Sequence, residues 1–283
     1  MTSNNSIERT IKFADENNVA YGIKQVDGKP RVSSMEYLYD IAEGNVAGHI
    51  PWSKIGYNGD VDASTEDMIA QGGTYTFPEA AIKMDIVSSD DVDGKTLAPA
   101  STGARTVTIY GLSTDFSEIS ETITLDGTTP VETTNSYYRI NNMRVATAGT
   151  GGKAAGNITL SEANGTTYKY GYIALGQTRM RQCVWTVPKD KTLYVTSIAF
   201  AVGGATKEKV AVFTTLAKYD NKAYAVLDFF MAYNEVVIED EAYTRQLEVP
   251  TKLGSGVDLK VQVRGLVADC VCTCSLRGWV EDN

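Results

Sequence analysis

From Thr76 to the end of the chain, apolar and polar residues alternate with a period of two. Val107 and Ile109 alternate with Thr106, Thr108 and Tyr110, and Ile119, Ile123 and Leu125 with Ser120, Thr122 and Thr124. The cleanest alternation sets Val257, Leu259, Val261 and Val263 against Asp258, Lys260, Gln262 and Arg264. Such a pattern puts the apolar set on one face of an extended strand. The connections GLSTDFSE and DGTTP fit a hairpin loop and a turn. YYRINNMRVATAG and AAGNITL follow, and QCVWTVP, KTLYVTSIAFAV, KEKVAVFTTLAKY, KAYAVLDFFMAY, RQLEVP and CVCTCSLRGWV continue the style. No helical period is sustained after residue 76. The pattern predicts an all-β protein of β-sandwich or jelly-roll type, with two sandwiches in tandem over 76–165 and 166–283. The boundary is placed in SEANGTTYK.

Residues 1–75 read differently, as an N-terminal arm with one short helix. Ser33 and Glu36 have the spacing of a capping box, Met35, Leu38, Ile41 and Ala42 follow along one side, and Gly44 stops the helix. The next stretch, GNVAGHIPWSKIGYNGDVDASTEDMIAQGG, is rich in turn residues yet carries Trp52, Ile55, Tyr57, Met68 and Ile69. Apolar groups of that size must be buried, either along their own domain or against a neighbouring subunit. The second alternative is favoured, which makes Trp52, Ile55 and Tyr57 the expected partner-interface residues.

Charge narrows the partners. The 283 residues carry a formal charge of −9 with a pI near 4.8, a surface that repels phosphate backbones. The cationic stretches at Arg179–Arg181 and Lys207–Lys209 are short and read as solvated, so no nucleic-acid partner is expected. The N-terminus lacks the basic and apolar regions of a signal peptide. No run approaches the roughly 18 apolar residues of a membrane span. These features predict a soluble chain made in a cytoplasm, with no membrane partner.

Candidate chemistry is sparse. One histidine gives little access to the commonest general base and metal ligand. That residue, His49 in AGHIPW, reads as a packed, hydrogen-bonded side chain. Cys270, Cys272 and Cys274 stand two apart, roughly 6.6–6.8 Å along a strand, too spread to close on one tetrahedral zinc. They read as a core-facing stripe continued by Leu276. Lys153 in GTGGKAAG lacks the following Ser or Thr and helix of a phosphate loop. DVDASTED spaces Asp60, Asp62, Ser64 and Glu66 like the first ligands of a calcium loop, but Thr65 and Gln71 stand at its turn-glycine and bidentate-acid positions. Asp90, Asp91 and Asp93 in SSDDVDG suit a hard cation or water. No catalytic, cofactor-binding or metal-ligating residue is assigned, and no cofactor.

YDIAEGNVAGHIPWSKIGYNGDV, EDMIAQGGTYTFP, GARTVTIYGLSTDFSEISETITLDGTTPV, YYRINNMRVATAGTGG and QCVWTVPKDKTLYVTS together resemble a family of structural proteins from tailed-bacteriophage virions. In that family a W-S-K-I-G-Y-N-G-like segment precedes a G-A-R-x-V-T-I-x-G-L ribbon, an E-x-V-T-L-x-G-T-T-x-V strand and a Y-T-V-P turn. The resemblance covers roughly residues 38–200 in order, with Trp185 where Tyr is usual. It implies a non-enzymatic virion component on the particle surface. The expected form is a capsid decoration or cement protein that binds the outer head as a homo-oligomer. A trimer is expected because icosahedral lattices offer three-fold sites, and the partners are the major capsid protein or neighbouring virion proteins. A neck, collar or tail component is the alternative within that class. A host-surface carbohydrate- or receptor-binding protein is the alternative outside it, ahead of a polysaccharide-degrading enzyme.

Overall fold

The structure is a computed structural model. It describes residues 11–14, 20–23, 25–26, 29–30, 34–94, 102–165, 168–206, 208–219 and 231–283. Ser33 of the expected capping box, Lys207 and most of KAYAVLDFFMAY lie outside them. Two compact units divide the chain, Met1–Ile50 and Pro51–Asn283.

In the first unit, β1 (Ile11–Ala14) pairs antiparallel with β2 (Ala20–Ile23), and β3 (Gln25–Val26) with β4 (Lys29–Pro30). Helix α1 (Ser34–Glu43) ends as expected at Gly44, whose φ of 79° is left-handed. The Gly44 N–H donates to the Ile41 carbonyl and the Asn45 N–H to that of Asp40, the two bonds of a Schellman cap. Of the apolar side expected on this helix, Ile41 is buried while Leu38 is 42% exposed, and neighbouring Tyr39 is 66% exposed.

The second unit is all β. In chain order its strands are β5 (His49–Val61, entering from the first unit), β6 (Glu66–Asp67), β7 (Met84–Ser88), β8 (Ala104–Leu112), β9 (Glu118–Thr124), β10 (Val131–Glu132) and β11 (Arg139–Ala148). There follow β12 (Ile158–Glu162), β13 (Lys169–Ile173), β14 (Val184–Thr186), β15 (Lys191–Gly203), β16 (Val210–Tyr219), β17 (Met231–Glu239), β18 (Ala242–Leu253), β19 (Val257–Gly265) and β20 (Cys270–Asp282). They form sheets of order β10-β7-β12-β13, β11-β8-β9, β14-β19-β16-β17 with β6 on β19, and β18-β15-β20-β5.

The first two sheets line one core. Met84, Ile86, Ile158, Leu160 and Ile173 meet Val107, Ile109, Ile123, Ile140 and Met143 there. The other two sheets line a second core, where Phe200 of β15 stacks on Phe213 of β16 with ring centroids 4.9 Å apart. The expected cysteine stripe lies in this core: Cys270, Cys272 and Cys274 are buried and alternate with exposed Val271 and Thr273.

Two departures from the sequence reading concern where the chain changes core. The boundary expected near 165 does not coincide with a change, since β13 still pairs with β12 and Ile173 lies in the same core as Ile158. The change comes at β14, where Cys183 and Trp185 face the second core and Val184 between them faces the first. Met68 and Ile69 divide in the same way. The stretch from 51 also departs from an irregular arm. It lies in the 13-residue strand His49–Val61 in the sheet of β20, because Trp52, Lys54, Gly56 and Asn58 alternate onto the inner side and find partners there.

Candidate functional site

The three expected interface residues are not gathered on one surface. In extended chain Trp52 faces opposite to Ile55 and Tyr57. Trp52 packs against the second core, its ring 5.1 Å from that of Trp185. Tyr57 is half-buried with the Arg181 guanidinium 4.2 Å over its ring, and Ile55 is 40% exposed.

The residues of the distinctive motifs instead build a polar seam between the two cores. Lys54 donates to the Asn141 carbonyl. The Asn141 side chain bridges to the backbone of Thr186, donating to its carbonyl and accepting from its N–H at 2.8 Å each. Arg139 of β11 grips Asp258 of β19 through Nε and a terminal nitrogen at 2.8 and 2.9 Å, and Thr186 also donates to Asp258. A further Arg139 nitrogen donates to the carbonyls of Pro78 and Tyr138, and the guanidinium lies 4.0 Å over the Tyr138 ring. Burial opposes the charge on Arg139, but the hydrogen bonds and charge of Asp258 more than offset it and hold the group above its ordinary value. Burial pushes the Lys54 ammonium down to about 8.

A second buried pair lies beside the first. Lys260 meets Asp67 at 3.0 Å. Burial pushes the Asp67 carboxyl up, and the Lys260 charge and the Tyr75 N–H hold it partly back. The polar face of β19, which alternation alone would leave in water, is thus buried at Asp258 and Lys260 and neutralised residue by residue.

The acidic clusters separate in role. Asp93 is fully buried and accepts from the Ser88 hydroxyl and the N–H groups of Ala104, Ala155 and Gly156, so it ties three loops together. Asp91 accepts from the N–H and hydroxyl of Thr128, which hold its carboxyl below the usual range. Glu66 turns to Asn58 and the Gly73 N–H. Asp60 and Asp62 do come together, but with Asp269, their oxygens within 4.8 Å of one another. Among the described residues this exposed triad could take a hard cation. Sequence spacing gave no sign of Asp269, which a separate hairpin brings in.

His49 is hydrogen-bonded as expected. Its Nδ1 meets the Ala47 carbonyl at 3.0 Å, which makes Nδ1 the donor and lets Nε2 accept from the Tyr37 hydroxyl at 2.9 Å.

The ribbon β8–β9 pairs hydroxyls across strands, with Thr108 buried beneath exposed Thr122 and the Thr106–Thr147 pair at the surface. Thr108 meets Thr122 at 2.8 Å, and Thr106 meets Thr147 of β11 at 2.6 Å. Two of the clefts on the second unit carry polar lining groups. One, of about 150 Å³, lies between the sheets of the second core beside Ile198, Leu247 and Leu253, with the Thr215 hydroxyl and Asn234 amide nitrogen unpartnered. The other, of about 220 Å³, is polar and lies between the 69–76 segment and Tyr168–Lys169.

No family model and no curated protein matches the chain. Among solved structures, the chain has 9% identity to a structure of infectious bursal disease virus Gt strain, with a TM-score of 0.15 over 82% of this chain and 70% of that one. The VP2 subviral particle of infectious bursal disease virus gives 10% and 0.12 over 88% and 86%, and the T=1 particles derived from infectious bursal virus 12% and 0.12 over 87% and 83%. TM-scores this low carry nothing about the fold or function of this chain. No helix among the described residues is long and apolar enough to cross a membrane.

Proposed function

We propose that the protein is a non-enzymatic structural component of a tailed-bacteriophage particle, made in the host cytoplasm. Its role is to decorate or cement the outer head surface as a homo-oligomer, with a trimer as the expected state. The two cores are taken as two β-sandwiches in tandem. The observation that carries this reading is the polar seam. The motifs that resemble virion proteins place Lys54, Arg139, Asn141 and Thr186 in it, as ties between two cores. A chain whose distinctive residues are committed to mutual bracing, and whose outer ribbon is capped by paired threonines, suits a part whose task is shape and contact. The acidic charge suits the outside of a particle better than packaged DNA.

The contact element is assigned to the first unit, where Leu38, Tyr39 and Ile50 expose apolar surface. Its partners are sister subunits and the major capsid protein. Electron microscopy of particles labelled with an antibody to this chain tests the position, with label expected over the head. Label confined to the neck or tail would replace the decoration role with that of a tail component, and absence from purified particles would remove the virion reading.

A further inference from the structure

The polar cleft of the second unit has the parts of a small binding site. Its floor is the turn 69–73, which other groups hold in place. Glu66 accepts from the Gly73 N–H at 2.8 Å, the Gly73 carbonyl accepts from the Asp67 N–H at 2.8 Å, and the Asp67 carboxylate accepts from the Tyr75 N–H. Asp67 is itself fixed by Lys260. Gly72 and Gly73 have φ of 73° and 77°, and a side chain at Gly73 would meet nothing within 4 Å, so the floor is open above its backbone. On the opposite wall Tyr168 exposes 44% of its surface, with its ring 6.5 Å from Tyr170 and tilted 31° to it.

Gln71 belongs to the floor turn and lines the cleft. Both its amide nitrogen and its amide oxygen are out of solvent and have no hydrogen-bond partner. The Tyr75 hydroxyl on the same segment is also buried and unpartnered. A buried amide with neither group satisfied costs free energy that a ligand can return. The same amide offers one donor and one acceptor side by side, the pattern that two adjacent hydroxyls answer. An exposed aromatic face beside such a pair matches a molecule with a polar edge and an apolar face.

We propose that this cleft, with Gln71 and Tyr168 as its ligand-contacting residues, binds a single neutral hexopyranose unit of a polysaccharide. Gln71 takes two adjacent ring hydroxyls once its amide, enclosed in the unliganded cleft, turns out of the wall, and Tyr168 carries the C–H face of the ring. The size of the cleft suits one sugar rather than an extended chain. The chain's −9 charge favours a neutral sugar over an acidic one. The site is independent of the protein's position in a particle.

Saturation-transfer NMR on the full-length protein with maltotriose, cellotriose, mannotriose, tri-N-acetylchitotriose and sialyllactose tests the proposal. Transfer to at least one neutral saccharide is expected, unchanged by added salt. Tyr168→Ala and Gln71→Leu should each raise its dissociation constant about tenfold or more. Gln71→Leu should unfold at or above the wild-type temperature, since it removes an unsatisfied amide. Silence from all four neutral saccharides would overturn the site. So would transfer that survives both variants, transfer to sialyllactose alone that Lys169→Ala abolishes, or a marked fall in the melting temperature of Gln71→Leu.

Discussion

Arg139 and Asp258, 119 residues apart, close a bidentate ion pair at 2.8 and 2.9 Å with their side chains only 5% and 1% exposed. The pair joins β11 of one core to β19 of the other. Its charges are stabilised by the fork geometry, by Thr186 and by backbone carbonyls, which offsets much of the cost of taking two ions out of water.

Removing one member of that pair strands the other. Arg139→Met and Asp258→Leu should each destabilise the protein by about 3–5 kcal/mol, while the double variant should recover most of the loss. Urea denaturation of the four proteins measures this. Additive single losses in the double variant would show that the two residues do not act as a pair.

Lys54 gives a pH dependence of definite sign. Its folded-state value is about 8 against an ordinary 10.5, so between these pH values the unfolded chain holds a proton that the folded chain has released. Stability from this group therefore rises as pH increases from about 8 to 10.5 and is lost as pH falls back through 8. Lys54→Met should remove that rise. Comparing the two proteins by urea denaturation across the window isolates it from tyrosine ionisation, and parallel curves would refute it.

Gly56 is packed where no side chain fits. A Cβ there would lie 2.7 Å from Cys274 Sγ and 2.8 Å from both Cys183 Cβ and the Met68 carbonyl oxygen. Gly56→Ala should cost about 1–3 kcal/mol through overpacking. The midpoint of thermal unfolding reports it, and an unchanged midpoint would mean that the surrounding strands yield freely.

The cysteines should be inert in the native protein. Burial raises the thiols of Cys270 and Cys274 and pushes Cys272 up to about 12, so at pH 8 these three are protonated as well as enclosed. A disulfide-exchange reagent should label them slowly in buffer and rapidly in denaturant. Fast labelling in buffer would place at least one of them at the surface.

On the proposed role, the exposed apolar groups of the first unit would carry attachment to the particle. Leu38→Ala with Tyr39→Ala should leave the circular dichroism unchanged and weaken co-sedimentation with particles lacking the protein. Undiminished co-sedimentation would move the contact elsewhere.

Alternation alone revealed the all-β character and the cysteine stripe, because both depend on which residues share a face of one strand. It could not reveal what lies across that face. Asp258 and Lys260 sit at polar positions of β19 and look solvated in sequence, yet they are buried because Arg139 and Asp67 come from strands distant in the chain. Side-chain size groups Trp52, Ile55 and Tyr57, although strand parity separates Trp52 from the other two. In the sequence Gln71 figures only as the residue that stands where a calcium loop carries its bidentate acid. The signal that mattered, an amide beside an exposed tyrosine, needs residues 71 and 168 in one place.

Strand β14 and the dipeptide Met68–Ile69 each supply side chains to both cores. The two halves of the second unit are therefore not interchangeable cassettes. A recombination event that swapped one half for that of a relative would bring in a Val184 or Ile69 shaped for a different partner core. Viable hybrids should keep segments 67–69 and 183–185 together with both halves, so recombination is expected to move Pro51–Asn283 as one block.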